Sequence, residues 1–186
     1  MNEPNEAAGE RRPPQPPAAW LLDNLDLLPP GGRVLDVAAG RGRHALFLAA
    51  RGWRVHAVDR DRGVLDAIVV DAPAGADLTC EVLDLETGTP HLGRRCYDAV
   101  IVFHYLHRPL MPALVDAVAE HGVLVYETFT IDQAARGHPK NPAFLLQHGE
   151  FAALVAPLEI VRRRAGEFDG RCVSSIVARR RGAHAT

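Results

Sequence analysis

Apolar runs alternate with more polar, helix-patterned stretches from residue 34 almost to residue 178. The runs at 34–37, 55–59, 78–84, 99–103, 122–129, 158–168 and 171–178 have the length and β-branched content of strands. Between them, 45–50, 62–70, 110–120 and 143–155 suit helices, whereas 85–95, with Gly88, Pro90 and Gly93, suits a loop. Residues 99–103 are apolar throughout, as expected of a parallel strand covered on both faces. The alternation predicts an α/β, doubly wound, mainly parallel seven-stranded sheet. Asp169-Gly170 between the last two strands is a hairpin signal, so the sheet should finish in an antiparallel pair. Ahead of the first strand, the apolar positions of 19–28 suit a short helix before the Pro29-Pro30-Gly31-Gly32 turn.

Three of these strands end on an acid: Asp36 near the end of the first, Asp59 closing the second and Asp84 closing the third. Asp36 is followed by Ala38, Ala39, Gly40, Arg41 and Gly42, a strand-to-helix turn that gathers backbone N–H groups beside a helix start. A dinucleotide pyrophosphate would be repelled by a carboxylate at that place, and a cationic ligand would be attracted. In a parallel sheet Asp59 falls on the same edge as the turn, where it could accept hydrogen bonds from two vicinal hydroxyls. Taken singly, Asp59 and Asp84 suit helix caps or loops equally well. Their order and shared edge make a ligand site the better reading.

With these residues the chain resembles the class I S-adenosylmethionine-dependent methyltransferases, over roughly residues 20–180. The family's first motif is acid-x-Gly-x-Gly-x-Gly, and here Asp36, Ala38, Gly40 and Gly42 follow it with alanine in place of the first glycine. The stretch from Gly42 to Ala49, followed by Gly52 and 55–59, looks most like the small tellurite-resistance and thiol methyltransferase type. The resemblance implies a Rossmann-like sheet and S-adenosylmethionine as cofactor. It would place Asp36 and the backbone of Ala38, Ala39, Gly40 and Gly42 at the methionine portion, Asp59 at the ribose and Asp84 at the adenine amino group. Arg43, Arg60, Leu85 and Phe103 flank those positions and complete the expected cofactor site.

Methyl transfer from a sulfonium needs alignment and dryness more than a base. Catalytic candidates are confined to the ends of the fourth and fifth strands, where such sheets bind ligands. His104, Tyr126 and Glu127 are the candidates, with Tyr105 as a pocket wall and His107 as a loop residue. Glu127 could accept a proton or pair with an arginine such as Arg43 or Arg136. No Pro-Pro-aromatic sequence of the amino-group methylating type follows the fourth strand, which reads Phe103-His104-Tyr105-Leu106 instead. No cluster of acids and His has clear metal spacing, so a metal-dependent mechanism has no support and no metal is expected. The connection 130–147 is long enough to be a lid, with Phe129 and Phe144 helping to keep water out, or a plain surface loop.

Composition narrows the remaining classes. With 186 residues, 47% of them hydrophobic, the chain suits one domain over 18–186. Residues 1–17 hold five of the fourteen prolines among several charges and should form a disordered tail. A net charge of −2 and a pI near 6.5 supply no global field for nucleic acid or membrane. The arginine triplets 162–164 and 179–181 could still form a local patch, or act as solvated edge charges. Three cysteines without metal spacing, and no secretion signal, point to reduced thiols in a cytoplasmic, soluble protein. The expected partner is a small-molecule acceptor, the expected assembly a monomer or homodimer. An RNA or protein methyltransferase and a nicotinamide-dependent oxidoreductase are the alternatives.

Overall fold

The computed structural model describes residues 15–88 and 90–182, so most of the tail expected over 1–17 lies outside the described residues. Twelve main elements follow in chain order: α1 (Ala19–Leu22), β1 (Arg33–Val37), α2 (Arg43–Ala49), β2 (Arg54–Asp59), α3 (Arg62–Asp71), β3 (Leu78–Val82), β4 (Tyr97–Phe103), α4 (Met111–Ala117), β5 (Val118–Phe129), α5 (Phe151–Leu154), β6 (Glu159–Phe168) and β7 (Arg171–Arg179). The seven strands form one sheet in the order β3-β2-β1-β4-β5-β7-β6. Only β7 is reversed, being antiparallel to both β5 and β6. The sheet and its closing hairpin are those expected from the sequence.

Alternation along the strands divides the core into two layers. Val34, Ala99, Ile101 and Phe103 pack with α1, α2 and α3 through Leu21, Leu48, Leu65 and Ile68. Leu35, Val37, Val100, Val102 and Tyr126 pack on the other face with Leu114 of α4 and Phe151 of α5. β4 is apolar on both sides because helices cover both. The switch in strand order lies between β1 and β4, the neighbours from which the chain winds outward in opposite directions.

Four expected boundaries move. β3 stops at Val82, two residues short of Asp84, because the Asp84 carboxylate turns the chain by accepting the Glu86 N–H at 2.9 Å. The helix expected over 110–120 ends at Ala117, and Val118 already belongs to β5, while the N–H groups of Arg95 and Cys96 bond the carbonyls of Asp116 and Ala117. Of the helix expected over 143–155 only α5 and a short 3₁₀ turn at Pro142–Phe144 form. There the Arg108 guanidinium donates to the carbonyls of Ala143 and Leu145, at 2.9 Å each, which a helix would need for itself. Gly149, in a left-handed conformation at φ +76°, separates that stretch from α5. Finally, the helix expected over 19–28 shortens to α1 and a 3₁₀ turn at Leu25–Leu27.

Candidate active site

At the carboxyl end of β1 the backbone turns left-handed three times, at Ala38 (φ 54°), Gly40 (φ 53°) and Gly42 (φ 72°). A Cβ on Gly42 would lie 2.5 Å from Cγ1 of Ile68, so glycine is required there both by conformation and by the approach of α3 to α2. Around Gly40 nothing lies within 4 Å of an added Cβ, which leaves the middle of the turn open to an incoming group. Ala38 adopts the same conformation without being glycine and lines the cleft below.

Asp59 ends β2 facing this turn. One of its oxygens accepts the Gly40 N–H at 2.9 Å and the other the Asp61 N–H at 3.0 Å. The cap of α3 is Asp61, whose side chain accepts from the Gly63 and Val64 N–H groups. Asp59 is therefore not a helix cap. Its carboxylate braces the glycine turn and retains lone pairs toward a cleft of about 220 Å³. Ala38, Asp59, Arg60, Asp84 and Leu85 line that cleft, as do Leu83, Glu86 and Tyr105. Leu83 and Glu86 were not expected; the only signal for Glu86 is its position two residues beyond Asp84, where its N–H closes the turn. Arg60 and Glu86 face each other at 3.9 Å across the opening.

Two buried polar atoms at the site have no hydrogen-bond partner among the described residues, Asp36 Oδ2 and the Tyr105 hydroxyl. Asp36 is only 2% exposed. Burial raises its pKa from 3.8 to about 7, opposed by the Ala45 N–H and the charge of Arg43 and reinforced by Asp59. Burial, together with the acids Glu86, Asp84 and Asp59, likewise pushes the Tyr105 phenol up. Such orphans are the groups a bound ligand would satisfy.

Next to the turn, beyond the ends of β4 and β5, lies a second cluster. His104, at φ 57°, stacks on Phe129 with ring centroids 4.9 Å apart. Its Nδ1 is 3.5 Å from an Arg43 guanidinium nitrogen and its Nε2 is 3.7 Å from Glu127 Oε1. Burial and the charges of Arg43 and Arg171 lower its pKa to about 4 against the pull of Glu127, so the imidazole is neutral near pH 7. Glu127 does not pair with Arg43 or Arg136, the partners considered from sequence. Its Oε2 accepts from Arg164 at 2.9 Å and from the Ser175 hydroxyl at 2.6 Å, whereas Arg136 bonds Glu167 at 2.7 Å. Arg164 lies in turn over the rings of Phe168 and Trp20.

Tyr126 is not brought to this cluster. It is fully buried on the opposite face of β5, with its ring edge on Phe151 and its hydroxyl donating to the Tyr105 carbonyl at 2.9 Å. Phe103 also turns away from the cleft and packs on His44 with ring centroids 4.3 Å apart. Ala39, Gly40, Gly42 and Arg43 surround the turn itself.

The connection 130–147 is braced. Besides its two carbonyl contacts, Arg108 grips Glu150 with bonds of 2.6 and 2.8 Å, and Gln133 ties the His138 carbonyl to the Cys172 N–H. The arginine triplets are largely engaged as well. Arg162 forms a two-pronged pair with Asp26, Arg181 bonds Glu159 and Arg180 bonds the carbonyls of Val115 and Val118.

A family profile described as a methyltransferase domain matches residues 34–122, which run from β1 to the middle of β5 and include the glycine turn, Asp59 and Asp84. Residues 34–122 are thus similar to a methyltransferase domain. Nearly all of the chain has the fold of class I methyltransferases, and that fold resembles those of TehB-like proteins. A Mesorhizobium loti S-adenosylmethionine-dependent methyltransferase superposes with a TM-score of 0.70 at 17% identity, covering 88% of this chain and 98% of that one. A TehB-like methyltransferase from Corynebacterium glutamicum gives 0.65 at 19% identity, covering 87% and 85%. The magnesium protoporphyrin IX methyltransferase of Synechocystis, with bound S-adenosylhomocysteine, gives 0.66 at 18% identity, covering 87% and 78%. Likeness at these identities concerns the fold. No curated protein matches the chain significantly. Among the described residues, no helix of the chain is long and apolar enough to cross a membrane, and no group of acids, His and Cys could hold a metal ion.

Proposed function

We propose that the chain is an S-adenosylmethionine-dependent methyltransferase acting on a small-molecule acceptor, with one domain over residues 18–186. The observation that carries this reading is the buried, partnerless oxygen of Asp36 beneath an open glycine turn, on the same sheet edge as Asp59 and Asp84. The residues fit the cofactor. Asp36 suits a cationic amino group, the free lone pairs of Asp59 suit ribose hydroxyls, and Asp84 with Leu83 and Leu85 suits the adenine. A volume of about 220 Å³ is below the ~300–1,000 Å³ of a pocket enclosing a whole drug-sized ligand, so the cleft takes the nucleoside portion and the turn the remainder.

When bound, the sulfonium supplies an electrophilic methyl group. The chain's own residues then position, shield and charge-balance. Asp36 ionises fully once a cation reaches its orphan oxygen, and Phe129, stacked on His104, keeps one side of the acceptor space apolar. Neither catalytic candidate in that space is a free base. Arg43 can only donate, so it occupies the Nδ1 lone pair of His104 and leaves the ring hydrogen on Nε2, toward Glu127. Glu127 is itself held by Arg164 and Ser175. Alignment in a dry site therefore supplies the rate.

A small acceptor is supported by the engaged arginine triplets, which leave little free charge to track a polyanion. The free cysteines and the lack of a spanning helix among the described residues support a cytoplasmic location. Calorimetric titration with S-adenosylmethionine tests the reading. Binding is expected in the native chain and should weaken at least about tenfold in Asp59→Ala, which loses a charge-assisted pair of hydrogen bonds. NADH binding in place of the sulfonium would refute it.

A further inference from the structure

β7 is the one reversed strand, so its first residue, not its last, falls on the edge where β4 and β5 finish. That residue is Arg171, paired across the hairpin with Phe168 and two positions ahead of Val173, the partner of Phe129. Arg43 reaches the same place from the start of α2 and touches His104. Neither Arg43 nor Arg171 forms an ion pair with an acid among the described residues. The buried carboxylates whose charge reaches Arg43 are Asp36 and Glu127, and Glu127 is already bonded to Arg164. The charges of both guanidiniums act on the neutral imidazole of His104, which stacks on Phe129. Two positive charges that repel each other and have no directly bonded acid among the described residues thus converge beside the glycine turn, next to a ring that can pack on the body of a small molecule.

We propose that Arg43 and Arg171 are the acceptor's anchor, and that the acceptor is a small molecule bearing a carboxylate or similar oxyanion which the two guanidiniums hold in front of His104 and Phe129. The proposal rests on the methyltransferase reading above and adds the charge class of the substrate to it. In the transfer, a lone pair of the acceptor forms the bond to the methyl carbon while the S–CH3 bond breaks and its electron pair returns to sulfur. The oxyanion neutralises the arginine pair without taking part in that exchange. A thiol acceptor enters as the thiolate, its proton having gone to water. Arg164, behind Glu127, and His44, under Phe103, complete the charged and titratable groups around the imidazole.

Three thiols of similar size separate charge from nucleophile: 3-mercaptopropionate, 2-mercaptoethanol and cysteamine, anionic, neutral and cationic at their far ends. With the cofactor-free full chain, NMR of the His104 ring should shift on adding 3-mercaptopropionate, and its pKa should rise from about 4 as the bound carboxylate offsets the arginines. The other two thiols should leave the ring unmoved, and Arg171→Gln should abolish the response. In turnover at pH 8.5, kcat/KM should favour the anionic thiol about tenfold or more, an advantage that Arg171→Gln removes without changing cofactor affinity. Equal use of the neutral thiol, or a His104 signal indifferent to the carboxylate, overturns the proposal. A response of His104 to the carboxylate in a chain that fails to bind S-adenosylmethionine would instead uphold the anion site and refute the cofactor assignment.

Discussion

Replacing Asp36 with Asn tests the electrostatics of the glycine turn most directly. Burial holds the Asp36 carboxyl protonated up to about pH 7, whereas in the unfolded chain it ionises near 3.8. Between those values the native state binds the proton and the unfolded state does not, so this group makes stability fall as pH rises, with the penalty complete above about pH 7. A shift of about three pKa units corresponds to roughly 4 kcal/mol. Asn keeps the shape and has no such equilibrium. The stability gained by Asp36→Asn over the native chain should therefore grow by about 3 kcal/mol between pH 4.5 and pH 8. His44 and His104, buried neutral, add their own dependence below pH 6.5, which cancels in the difference between the two proteins. Urea unfolding of both chains without cofactor at the two pH values measures the quantity, and calorimetry should show the same variant losing S-adenosylmethionine. A difference in stability that is flat with pH would refute a buried carboxyl with a partnerless oxygen at this position. A stability gain together with lost binding is the signature of a group kept for its ligand and not for the fold.

Two further substitutions probe the frame around the site. Gly42→Ala places a methyl 2.5 Å from Ile68 in a left-handed backbone and should cost about 2–4 kcal/mol in chemical unfolding, partly recovered in the double variant with Ile68→Ala. Arg108→Ala removes a bidentate pair with Glu150 and two carbonyl contacts, and should raise amide exchange over 142–150 at least about tenfold while leaving exchange in β1 unchanged.

The sheet was legible because its signals are local. Each apolar run is bounded by turn residues, and Asp169-Gly170 alone is enough to reverse the last strand. The three strand-end acids were equally legible, since a parallel sheet places successive strand ends on one edge. What stayed hidden depends on residues far apart in the chain. The extent of α5 turns on Arg108, 35 residues away from one of the carbonyls it captures, and the partner of Glu127 is Arg164, 37 residues on. Which face of β5 carries Tyr126 was available from alternation with Glu127, yet strand-end position outweighed it in the choice of catalytic candidates. The Ala38 substitution shows the reverse case. Its place in the motif was plain from sequence, whereas only the backbone reveals that it holds the left-handed geometry a glycine would otherwise supply, at a cost of about 1–2 kcal/mol for an L residue.

The reversal of β7 separates two duties that a wholly parallel sheet would crowd together. Asp36 and Asp59 within β1 and β2, with the glycine turn and Asp84 in the loops after β1 and β3, serve one end of the edge, while the other end is formed by a tight hairpin that does not line the cleft. Exchanging residues 168–172 is consequently a modular way to redirect acceptor choice, since a graft confined to that two-residue turn and its shoulders leaves the strands that grip the nucleoside intact.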